Sequence, residues 1–152
     1  MRQNKLFLFL LSVFFAGGIT AQTSATALPY STGFEDATDN ASWQFANATT
    51  NQWAIGAATN NGGTNALYIS SDGGTSNAYI MNGGQTSFAY RAFHFEKGDY
   101  VISFDWKCNG ESGYDFMQVV LTPASITIKD GTYDGTLGSI TRFGKGTTDL
   151  AI

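Results

Sequence analysis

Between Tyr100 and Leu121 the chain alternates between side chains that prefer an interior and side chains that prefer water. Ile102, Phe104, Trp106 and Cys108 take one parity, and Val101, Ser103, Asp105 and Lys107 take the other. That two-residue period belongs to a half-buried strand, and no helix sustains it. Asn109-Gly110-Glu111-Ser112-Gly113 follows as a turn, and Met117, Val119 and Leu121 return to the first parity with Phe116, Gln118 and Val120 opposite. The sequence therefore predicts a hairpin here, with Trp106 and Cys108 facing the core. Outside the first twenty residues no stretch carries a sustained 3.6-residue period, and 18 glycines punctuate the chain against 2 prolines. The expected class is all-β, with short strands closed by turns in a sandwich or jelly roll.

The preceding residues supply the other expected strands. Ser31–Asp36 is the first, ending in carboxylates; Trp43–Phe45 and Gln52–Gly56 follow, separated by the polar run Asn47–Asn51. Asn60-Asn61-Gly62-Gly63 marks a turn. Ala66–Ser70 and Asn77–Met81 flank the Gly-rich tip Ser71–Ser76 and are predicted to pair as a hairpin. Thr86–Phe95 alternates with Phe88, Tyr90, Ala92 and His94 on one face. After Pro123 the pattern weakens: Ser125–Lys129 offers a strand, Asp130–Gly138 is turn-rich, and Ile140–Phe143 is short. A sandwich needs closing strands to cover its core and edges, so the chain is expected to be a piece of a longer protein.

The N-terminus predicts the compartment. Arg2 and Lys5 precede the apolar run Leu6–Phe15, and Ala21 precedes Gln22, the arrangement of a cleaved signal peptide over residues 1–21. The run is shorter than the roughly 20 residues of a membrane span. Residues 22–27 read as a polar linker and 28–152 as a single domain. Without Arg2 and Lys5 the chain has six basic residues against twelve acidic ones. The remaining basic residues are scattered, which disfavours nucleic acid and anionic lipid as partners. Cys108, the single cysteine, excludes an internal disulfide framework and is expected to be buried.

Few residues point to chemistry. His94 is the single histidine, and it lies in a strand pattern with no GxSxG elbow anywhere in the chain. One His and one Cys do not make a zinc site. Glu35, Glu96, Asp105, Glu111 and Asp115 are the carboxylates from which a glycosidase pair would be drawn, with nothing in their spacing to single one out. Glu35, Asp36 and Asp39 lie close in sequence, and Asn65 and Asp72 border loops that could fold over them, which makes these five the candidate calcium ligands. A solvated acidic loop is the equal alternative. Sugar binding would use an exposed aromatic ring, with Trp53, Tyr79, Tyr90, Phe116 and Tyr133 as candidates, although most rings in such a chain fill the core.

LPYSTGFED, NQWAIG, GGTNALYISSDGGTSNAYI and YRAFHFEKGDYVISFDWKCNGESGYDFMQVVLTP occur in that order from Leu28 to Pro123. This succession resembles the choice-of-anchor J and cleaved-adhesin domains of secreted bacterial surface proteins, related in fold to the MAM domain. The resemblance implies a jelly-roll β-sandwich of the galactose-binding type and no enzymatic activity in the domain. It further implies a structural calcium ion held in part by Glu35, with other ligands near a C-terminal block that this chain does not reach. The expected role is a non-catalytic extracellular module of a surface adhesin, binding glycans or host and cell-surface proteins. The alternatives are an accessory domain of a secreted peptidase or glycosidase, and a structural spacer.

Overall fold

The computed structural model describes residues 24–48, 50–81, 83–110, 115, 117–129, 131 and 142–143. The expected signal peptide, the turn residues 111–113, Phe116 and Tyr133 lie outside them. Within the described residues the chain is β-rich, with one short helical turn: α1 (Ala37–Asn40), β1 (Gln44–Ala46), β2 (Gln52–Gly56), β3 (Ala66–Ser70), β4 (Phe88–Tyr90), β5 (Val119–Val120) and β6 (Arg142–Phe143). These strands form three two-stranded antiparallel sheets, β1–β4, β2–β3 and β5–β6.

The β2–β3 pair is the longest ladder. It opposes Trp53 to Ile69, Ala54 to Tyr68 and Ile55 to Leu67, a run of aromatic, aliphatic and β-branched cross-strand neighbours. Ala46, Ala48 and Tyr68 are buried, and Ser70 is fully so. Ser70 tolerates burial because its Oγ donates to Asp72 Oδ1 (2.6 Å) and accepts from Gly74 N (2.9 Å).

The two ladders are stitched together by polar side chains. Asn47 Oδ1 accepts from Trp53 N at 2.7 Å, and Ser87 Oγ accepts from Ala48 N at 2.8 Å and donates to the Asn51 carbonyl. Gln85 Oε1 accepts from Asn51 N at 2.9 Å, and the Trp53 indole donates to Ser87 O at 3.0 Å. The polar run after β1, expected as a plain connector, thus satisfies backbone groups that no strand reaches.

Four expected elements differ from the structure. Ser31–Asp36 is no strand: Phe34 sits at φ 64°, its N–H donates to Thr32 Oγ1, and Asp36 caps α1 by accepting from Thr38 N and Asp39 N. Asn77–Met81 does not pair with β3. Asn51 instead meets both backbone groups of Ile80 with its side-chain amide, at 2.8 and 2.9 Å, and acts as a surrogate strand. Ser125–Lys129 is no strand, and its start belongs to a turn in which Ile126 N donates to Pro123 O.

The fourth difference is the predicted hairpin. Residues 101–110 form no strand, and among the described residues no backbone–backbone hydrogen bond holds them; β5 pairs with β6 instead. Phe104 and Trp106 are half-buried and their odd-numbered neighbours exposed, so the alternation survives over the middle of the segment. Without a ladder nothing carries that parity to the end of the segment, and Cys108 is exposed rather than buried.

Candidate functional site

Arg91 follows β4 and reaches back under the N-terminal segment. Its Nε donates to Thr26 Oγ1 (2.7 Å), Nη1 to the Tyr30 hydroxyl (2.7 Å) and Nη2 to Asp39 Oδ1 (2.6 Å). The guanidinium also lies 4.3 Å from the Tyr30 ring centroid. Arg91 is 5 % exposed and Asp39 25 %, so the pair is largely removed from water. Thr26, within the expected linker, is tied to the body by this contact and by backbone hydrogen bonds to Ala92 and His94. The Arg91 fork and then the Tyr30 hydroxyl hold the Asp39 carboxyl below the usual aspartate range, while burial followed by the Asp39 contact pushes the Tyr30 hydroxyl up. The sequence lists Arg91 as one scattered basic residue, and only the fold reveals it as a hub.

Of the five candidate calcium ligands, the structure brings two together. Glu35 Oε1 accepts from Thr64 N (2.7 Å) and Asn65 N (2.9 Å), and Oε2 accepts from Asn65 Nδ2 (3.0 Å). The Asn65 and Thr64 amides hold the Glu35 carboxyl below its ordinary value. Asp36 caps α1 and Asp39 serves Arg91. Asp72 closes its own loop, accepting from Ser70 Oγ and from Ser76 N (2.9 Å) and Oγ (2.7 Å), which lowers its carboxyl to about 2.

Glu35, Asp36 and Asp39 line one open depression of about 430 Å³ with Tyr30 and Thr32, but each carboxylate already has N–H or O–H donors. Among the described residues no three His, Cys, Asp or Glu side chains converge as a metal site. As arranged, the five do not surround one point among the described residues: Glu35 meets Asn65, Asp36 caps α1, Asp72 closes its own loop, and a cation at Asp39 would compete with Arg91. Millimolar calcium is therefore expected to leave the melting temperature where EGTA leaves it. A rise that disappears in Glu35→Gln would show that an ion does bind at Glu35.

Gly63 backs the Glu35 clamp, since a Cβ there would collide with Glu35 Oε1. Gly63→Ala is expected to expel the carboxylate and return its titration toward the ordinary value near 4.5, as read by carboxyl NMR. An unshifted titration would contradict the clamp.

The groups weighed for catalysis, none of which was expected to perform it, are placed as follows. His94 Nε2 lies 2.9 Å from Glu96 Oε1 in an exposed pair. Asp105 accepts from Asn61 Nδ2 at 2.8 Å and Asp115 from the Tyr79 hydroxyl at 2.8 Å; Glu111 is outside the described residues. Among the candidate aromatics, Trp53, Tyr79 and Tyr90 are half-buried.

Among the described residues the exposed rings are Phe45, Phe95 and Tyr100, and the last two meet. Phe95 is 42 % exposed and Tyr100 44 %, and their planes meet at 89° with centroids 5.0 Å apart. The Tyr100 hydroxyl donates to Glu96 O at 3.0 Å, closing the 96–100 turn and fixing the ring. Phe95 leans on Phe93, which leans on Tyr30, so an aromatic file runs from the Arg91 hub to the surface. The sequence signal was available: aromatic residues flank Glu96-Lys97-Gly98-Asp99, a turn that cannot bury both. Scans against protein-family models, curated proteins and solved structures found nothing that matches this chain.

Proposed function

We propose that this chain is a non-catalytic binding module of a secreted or surface adhesin, built on a jelly-roll β-sandwich and taking glycans or cell-surface proteins through exposed aromatic side chains. The observation that carries this reading is the Phe95–Tyr100 corner, two exposed rings in edge-to-face contact with the polar residues His94, Glu96 and Asp99 beside them in the chain. Preformed aromatic area binds at low ordering cost, and the polar rim supplies hydrogen-bonding partners for hydroxyl groups. The Arg2–Ala21 signal pattern and the acidic balance of the remainder support an extracytoplasmic location.

A glycan array probed with the purified chain tests the proposal. Phe95→Ala and Tyr100→Ala are expected to weaken binding about tenfold, equivalent to ~1.4 kcal/mol. Tyr100→Phe, which keeps the ring, should bind nearly as the parent does. Absence of glycan and cell-surface binding would favour the spacer alternative. Binding unaffected by either alanine would move the site away from this corner.

A further inference from the structure

The segment Asp99–Lys107 keeps a strand's alternation without a ladder, and its sequence carries its own partner's complement. Its backbone has no ladder among the described residues, Val101 is 94 % exposed, and Tyr100 and Ile102 are also exposed. Backbone groups without a ladder beside exposed apolar side chains template a strand partner unless proline, a bulge or like charge blocks it. No proline lies in the segment.

We infer that this edge pairs antiparallel with the same edge of a second copy of the chain, about a two-fold axis at Ser103. In that register Tyr100 stands opposite Trp106 and Ile102 opposite Phe104 on the inner face, each pair occurring twice. On the outer face Lys107 stands opposite Asp99 of the second copy, also twice, with Val101 opposite Asp105 and Ser103 opposite itself. Charge selects this register. Centring the axis on Asp105 would oppose two aspartates, and centring it on Phe104 would leave Lys107 opposite Val101. A parallel in-register pair would stack every like charge. The inner-face rings gain an apolar neighbour, and the exposed Val101 edge is covered. An interface of one short strand pair falls at the small, transient end of the range, so the dimer is expected at micromolar rather than nanomolar concentration. The pairing goes beyond the proposed binding role and does not depend on it.

Sedimentation velocity on the purified full chain with Cys108→Ser, across the micromolar range, is expected to show a concentration-dependent monomer–dimer equilibrium. Lys107→Asp should shift that equilibrium several-fold toward monomer, and Asp99→Lys combined with Lys107→Asp should restore it. In the same Cys108→Ser background, Ser103→Cys should form a homodimeric disulfide on mild oxidation, because the two residues face each other at the axis within bridging distance. Val101→Cys, whose copies lie four residues out of register, should form several-fold less. A chain that stays monomeric throughout, a charge reversal that is not rescued, or cross-linking no better at Ser103 than at Val101 would overturn the inference.

Discussion

Replacing Arg91 by alanine is expected to destabilise the chain by about 3 kcal/mol, read as a drop in the midpoint of denaturant unfolding. The side chain is nearly buried and distributes its donors over Thr26, Tyr30 and Asp39, so alanine leaves four oxygens of these three residues without the donor around which they are arranged. The figure is set below the upper range for buried pairs because Asp39 keeps contact with solvent. Arg91→Lys is expected to recover less than half of the loss, since an ammonium cannot present the planar fork to three acceptors at once. Asp39→Ala should also be costly, because it strands the guanidinium beside the Tyr30 ring. If Arg91→Ala unfolds with the parent midpoint, the N-terminal segment is not held by this hub.

Tyr68→Ala carries the next-largest expected effect, about 3–4 kcal/mol. Tyr68 is 6 % exposed in the centre of β3, opposite Ala54, and its hydroxyl donates to Gly74 O at 2.6 Å across the loop tip. Alanine removes the ring from the ladder and leaves a cavity lined by small residues that cannot collapse into it. Tyr68→Phe separates the two contributions. It keeps the ring, leaves the Gly74 carbonyl without its donor, and should cost about 1 kcal/mol. Gly56→Ala should resemble Tyr68→Phe, because its Cβ would fall 2.8 Å from the Tyr68 hydroxyl and push it off the carbonyl. Equal losses for Tyr68→Ala and Tyr68→Phe would mean that the ring itself contributes nothing.

The same carboxylates that are engaged internally set the acid limit of stability. Glu35, Asp39 and Asp72 all titrate below their ordinary values in the folded chain. The unfolded chain takes up these protons first as pH falls, so their contribution is complete above the ordinary values, near 4.5 for Glu and 3.8 for Asp. It declines below those values, and the Asp72 part persists until pH approaches about 2. Chemical denaturation followed from neutral pH downward should show a plateau and then a fall in that window. Asp72→Asn should flatten the most acidic part of the fall.

β2 and β3 were legible at their observed boundaries because both carry strong short-range signals, β-branched or aromatic residues bounded by Asn, Gly and Ser. What the sequence hid was partner choice. Ala66–Ser70 was expected to pair with the segment after its Gly-rich tip, and pairs with β2 instead. The reason is side-chain mimicry of backbone: Asn51 satisfies Ile80, and Asn47 satisfies Trp53, and no periodicity reports an amide standing in for a strand. Phe34 was missed for a related reason, since a non-glycine residue at positive φ leaves no compositional trace.

The acidic cluster was visible as composition, but its use was not. Proximity in sequence suggested shared ligation for Glu35, Asp36 and Asp39, whereas their partners come from residues 29 to 52 positions away in two cases and from α1 itself in the third. Long-range donors such as Arg91 and the Thr64–Asn65 amides decide the chemistry of a carboxylate, and a single sequence does not pair them. The exposure of Phe95 and Tyr100 was legible in principle from the turn between them, while that of Cys108 depended on a ladder that does not form.

The central claim is that residues 95–108 form an open face, available to a ligand at the Phe95–Tyr100 corner and to a second strand along 99–107. Amide hydrogen exchange of the dilute, monomeric chain tests it most directly. The account predicts rapid exchange across 101–108, slow exchange in 52–56 and 66–70, and protection of 101–108 appearing as concentration rises. Strong protection of 101–108 at dilution, equal to that of the β2–β3 ladder, would mean that the chain pairs this strand with itself, and would contradict the account.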